Sequence, residues 1–186
     1  MKYELWYSVV VRDRRGKVLS RERRRGRSFL KQWNQLLQLQ MRMASLSVVD
    51  TGGTPRNVAP HANSFRIAAG ATATSYGLRV GTGNTPVAID DYALATPIAQ
   101  GTGAGQMEHQ VCTVATSVVS APSCYFVVSR TITNNSGNSI TVREAALYMR
   151  MSASYYGCAT RDVFGAPQAV PDGGSITVDW TIQVTV

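Results

Sequence analysis

The sequence predicts a mainly β protein, an antiparallel β-sandwich or jelly-roll-like body with an N-terminal β-hairpin and one amphipathic helix. Three observations lead to that class. Seven to nine short runs rich in Thr, Val, Ile, Tyr and Phe alternate with Gly, Pro, Asn and Ser breakers. In the last run Val178, Trp180, Ile182 and Val184 fall on one face, with Thr177, Asp179, Thr181, Gln183 and Thr185 on the other, a period of two that calls for one buried face. One longer stretch has helical spacing, where Phe29, Leu30, Trp33, Leu36, Leu37 and Met41 recur at intervals of one, three or four.

Taken in order, residues 3–11 (YELWYSVVV) and the KVLSRER run flank DRRG, so they pair as a hairpin with Gly16 at the positive-φ position of its turn. Ser28 stands where an N-cap belongs, and the helix is expected from Ser28 to Met43. From Leu46 the pattern turns to β: SVVD, the breaker run TGGTPRNVAPHANS, then FRIAAGATATSYG, a strand or an irregular crossing. The stretch from Tyr76 to Gln106 combines a strand at Leu78 and Val80, a GTGNTP break and a Gly-rich exit. Between the break and the exit a short helix capped by Asp90 or Asp91 is expected, with Leu78, Val80, Tyr92, Leu94 and Ile98 as core anchors. Strands follow in MEHQVCTVAT, CYFVVSRTITN, SITVREAALYMRM, residues 155–164 and SITVDWTIQVTV.

Charge divides the chain. Residues 1–43 carry twelve Lys/Arg and three acids, a net +9, while the remainder comes to −1. Composition therefore suggests a basic N-terminal hairpin and helix (1–43) and a β-sandwich body (44–186), with the body expected to stay folded when residues 1–26 are removed. Arg14, Arg15, Arg21, Arg23, Arg24, Arg25 and Arg27 are the candidate partner-binding residues, with the helix stripe Phe29, Trp33, Leu36 and Leu37 beside them. The arginines could be a solvated face, meet acidic patches on a neighbouring subunit, or bind phosphates through charge alone. No aromatics interleave them in sequence, which weighs against nucleic acid. For the stripe, ordinary core packing is the simpler expectation.

Other chemistry is sparse. Three cysteines without a CxxC pair give no metal or disulfide framework, and buried free thiols are expected. His61 and His109 lack acidic companions at ligand spacing. GTGNTP and GTGAGQ lack the Lys-Ser/Thr of a phosphate loop. The SxxK at Ser28–Lys31 has none of its companion motifs, and adjacent Asp90 and Asp91 do not form an acid/base pair. No catalytic residue, cofactor or metal is predicted. No apolar run is long enough to span a membrane, and no signal-peptide pattern opens the chain.

GLRVGTGNTPVAIDDYALATPIAQGTGAGQ, with its GTG turn, Asp-Asp-Tyr-x-Leu segment, Ile and Gly-rich exit, resembles a group of tailed-bacteriophage virion proteins. The likeness extends to ITVREAALYMR and to the close, TRDVFGAPQAVPDGGSITVDWTIQVTV, and more loosely to the hairpin and SFLKQWNQLL. The resemblance implies a non-enzymatic virion subunit at the tail, neck or fibre attachment region, assembled in the bacterial host cytoplasm. Other virion proteins and further copies of itself would be its partners, with no membrane and no small-molecule substrate. A capsid decoration protein gripping the shell through its basic front is an alternative of the same kind. A nucleic-acid-binding module using Arg21 to Arg27 is an alternative of another class.

Overall fold

The computed structural model describes residues 2–26 and 29–186. The chain runs through β1 (Lys2–Arg12), β2 (Val18–Gly26), α1 (Lys31–Arg42), β3 (Leu46–Val49), β4 (Pro55–Val58), β5 (Gly77–Gly81) and β6 (Ala99–Gln100). It continues through β7 (Gln106–Val114), β8 (Val118–Ser120), β9 (Ser123–Thr133), β10 (Ile140–Arg150), β11 (Tyr156–Val170) and β12 (Ser175–Thr185). The strands form a larger sheet in the order β2-β1-β12-β9-β7-β6, with β8 also on β9, a three-stranded sheet β11-β10-β5, and the small β3-β4 pair. Pairing is antiparallel except between β6 and β7.

The predicted mainly β, sandwich-like body is the observed one. Along β12, Ile176, Val178, Trp180 and Ile182 are buried, and the residues between them are half-buried on the opposite face. The larger sheet's inward residues, among them Leu5, Val9, Ile132 and Trp180, join Val80, Val142, Leu147 and Met149 of the three-stranded sheet in one buried cluster. This is the physical requirement behind the period of two: each sheet can hide only one face.

The N-terminal hairpin is present, and Gly16 sits at φ 80° in its turn. The backbone pairing does not follow the charge boundary. β1 pairs with β12 from Lys2↔Thr185 to Arg12↔Ser175, and it sends Leu5, Tyr7, Val9 and Val11 into the core.

Two local expectations need correction. Helix α1 begins at Lys31 rather than Ser28, with Leu30 as its N-cap and no side-chain cap; the Ser28 cap itself lies outside the described residues. Phe29 forms a bridge with Thr160 and the Leu30 amide donates to the Ala159 carbonyl, so both are held extended against β11 before the helix can start. Between β5 and β6 there is no helix at Asp90 and Asp91. The amides a helix would use internally go elsewhere: Leu94 donates to the Tyr148 hydroxyl, and Ala95 and Thr96 donate to the Glu144 carboxylate. Leu78, Val80, Leu94 and Ile98 are buried as expected, but Tyr92 is 44% exposed.

Candidate partner-binding face

The hairpin register sorts the candidate arginines. Arg21, Arg23 and Arg25 lie opposite Val10, Ser8 and Trp6, on the side of the larger sheet that faces away from the core. All three are exposed. Successive members of the row stand two strand positions, about 6.8 Å, apart. The Arg23 guanidinium sits 5.3 Å from the Trp6 ring centroid, and Arg25 pairs with Glu4 at 3.2 Å. An aromatic does therefore adjoin the arginines. It comes from β1 through the hairpin register, which is why a scan of neighbouring residues misses it.

Arg24 belongs to the other side. Its Nε donates to Glu22 Oε1 at 2.9 Å, and its guanidinium lies over Gly165, on the spot a Cβ there would occupy. Glu22 is the hub there, accepting from the Tyr7 hydroxyl, the Gly165 and Ala166 amides and the Gln168 amide group. Burial, reinforced by Glu22, raises the Tyr7 phenol above its usual range. Arg24 thus helps hold β11 across β2, apart from the outer row. Arg14 packs against Gly173 and Arg15 lies in the hairpin turn, where its amide donates to Asp13. Arg27 is outside the described residues.

The rows opened by these arginines continue across the sheet. Trp6 pairs with Thr181 and Thr181 with Val127; Ser8 with Asp179 and Asp179 with Ser129; Val10 with Thr177 and Thr177 with Thr131. Hydroxyls tie the face together, with Ser129 donating to Asp179 at 2.5 Å and Thr131 and Thr177 2.8 Å apart. Away from its arginine edge this face is Thr, Ser, Val and Trp, with few charges.

The conspicuous polar chemistry lies inside the protein. Glu144, fully buried on β10, accepts from the amides of Gly83, Ala95 and Thr96 and from Arg161 Nε at 2.8 Å. Arg161 also donates to Asp91 at 2.7 Å and to the Thr85 carbonyl. A Cβ added at Gly81 or Gly83 would stand 2.5 Å from Glu144 Oε1, so these two glycines serve close approach to the carboxylate. One amide of the GTGNTP turn, that of Gly83, does meet an anion, and it is the protein's own. The visible sequence signal is Glu144 directly before the apolar segment AALYM of ITVREAALYMR, a placement that calls for a partner if the strand is buried.

A second buried cluster is cationic. Arg130 donates to the carbonyls of Gln110, Leu78, Gly70 and Ala73, tying the crossing at residues 69–78 to β9. Arg79 donates to the carbonyls of Thr74 and Ile98. His109 is buried beside them, and desolvation together with the charges of Arg79 and Arg130 pushes its pKa down to about 3, so it stays neutral at physiological pH. Burial raises the thiols of Cys112 and Cys158 as well, which suppresses the reactive thiolate; Cys124 is exposed, contrary to the buried state expected for all three.

The helix stripe divides. Leu36 is buried in the core with Leu39, while Phe29 and Trp33 pack at its margin. Leu37 is 37% exposed and Met41 84%. Trp33 and Leu37 border an apolar groove of about 450 Å³ with Phe65, Ile67, Val114 and Phe126. The stripe therefore mostly fastens α1 to the sheets, leaving one rim open.

Among the described residues no group of three or more His, Cys, Asp or Glu is placed to hold a metal ion, and no helix is long and apolar enough to cross a membrane. No family model, no curated protein and no solved structure matches the chain.

Proposed function

We propose that this protein is a non-enzymatic structural subunit of a tailed-phage virion, assembling at the tail, neck or fibre attachment region through protein–protein contacts. The observation that carries the proposal is the outer face of the larger sheet. Three adjacent strands, β1, β12 and β9, present Trp6, Val10, Thr177, Thr181, Val127 and Thr131, bordered by the exposed arginine row of β2. A wide surface of small polar and apolar side chains suits burial against another subunit, since few charges need to be desolvated. The internal polar groups support the same view. Glu144, Arg161 and Arg130 are used to pin irregular chain segments to the sheets, giving a rigid block suited to repeated assembly. The resemblance of residues 77–106 and of the last two strands to tailed-phage virion proteins supplies the setting.

The test is the mass of the purified protein in solution across a range of concentrations, together with capture of purified virion components. Multimers, or a monomer that captures a virion component, are expected. A strictly monomeric species that captures none would overturn the proposal.

A further inference from the structure

We infer that β2 is a docking edge for an extended strand of a different protein, one carrying carboxylates at alternate positions. The inference rests on the assembly proposal and names a partner chemistry for its basic border.

Two independent observations meet at β2. It is the terminal strand of the larger sheet, and among the described residues no backbone group pairs with its outer edge. In an antiparallel pair, alternate residues turn their N–H and C=O groups away from the neighbour, so every second residue of the nine in β2 presents open donors and acceptors. On the outer face of the same strand Arg21, Arg23 and Arg25 recur with period two. Arg21 and Arg23 have no carboxylate partner among the described residues, whereas Arg25 is held by Glu4. An added strand with acids at every second residue would satisfy the open edge and place each carboxylate beside an arginine, since cross-strand neighbours share a face.

The occupant is not a second copy. A β2 edge against a β2 edge would set arginine beside arginine, and nowhere in this chain do two acids stand two residues apart. A single-stranded nucleic acid is the weaker fit. It would use the charges but leave the backbone edge unmatched, and Trp6, the aromatic beside the row, is already covered by Arg23.

The experiment measures binding of the full-length protein to fluorescent probes at low salt. The probes are a peptide alternating Glu and Thr, the same peptide N-methylated at alternate amides, a Lys/Thr peptide and oligodeoxythymidine. The Glu/Thr peptide is expected to bind, with affinity reduced about tenfold by N-methylation through loss of the edge hydrogen bonds. The R21E/R23E variant, altered only at exposed positions, is expected to lose the Glu/Thr peptide and bind the Lys/Thr peptide instead. Equal binding of the methylated peptide, tighter binding of oligodeoxythymidine than of the Glu/Thr peptide, or no binding of the Glu/Thr peptide would each overturn the inference. Loss of peptide binding with multimers intact rejects the edge alone, whereas failure of the assembly proposal appears in the solution mass and virion capture.

Discussion

A chain lacking residues 1–26 is expected to show no cooperative unfolding transition. The deletion removes both β1 and β2 from one end of the larger sheet, exposes the flank of β12 along its whole length, and takes Leu5, Tyr7, Val9 and Val11 out of the core. At about 2 kcal/mol for each of these buried side chains, the loss is about 8 kcal/mol. That is comparable to the entire stability of an ordinary domain, about 5–15 kcal/mol. Circular dichroism against temperature is the measurement. A sharp transition with the β signal retained would restore the separable basic front that the charge distribution suggests.

The second large effect is expected from E144Q. The substitution keeps the shape of the side chain but removes its charge, leaving Arg161 with Asp91 as its remaining anion and turning an amide donor toward the amides of Gly83, Ala95 or Thr96. Breaking a buried ion pair from one side costs about 3–5 kcal/mol, because the partner's charge stays desolvated. Urea unfolding should show a loss of that size, and hydrogen exchange should show protection falling first at the amides of Gly83, Ala95 and Thr96. The double variant E144Q/R161M should be less destabilised than the sum of its single variants, since the two side chains share one interaction. Stability within about 0.5 kcal/mol of wild type would place Glu144 among ordinary surface positions, and its role as the anchor of residues 82–97 would fail.

Much of the strand framework was legible because its cause is local. A buried face on each strand imposes alternation, and β12 shows it residue by residue. The turn at Gly16 was legible for the same reason, since a positive φ selects glycine. The Asp90–Asp91 helix was misread because its competitors are distant: Glu144 and Tyr148 reach the amides of Leu94, Ala95 and Thr96 across about fifty positions of sequence. Helix α1 started late for a similar reason, with Phe29 and Leu30 held by β11. At the candidate face, composition identified the arginines but could not divide them. Only the register of β1 against β2 shows that Arg21, Arg23 and Arg25 share a side with Trp6 while Arg24 turns to Glu22 and Gly165. The charge boundary does not report where β1 pairs, because net charge reflects the exposed face of a strand, whereas Leu5, Tyr7, Val9 and Val11 face the core.

If subunits meet on the outer face of the larger sheet, as proposed, a charge placed in that face should weaken assembly, and T181R places one there. Thr181 lies between Trp6 and Val127 on that face and is half-buried there, so a guanidinium can extend outward without entering the core. Solution mass and thermal midpoint of T181R, measured beside the wild type, separate assembly from folding. The wild type is expected to form multimers or capture a virion component, T181R to lose that association, and the midpoints of the two to agree once they are compared as monomers. A T181R variant that assembles or captures virion components like the wild type would contradict the proposal, as would a wild type that stays monomeric at every concentration and captures none.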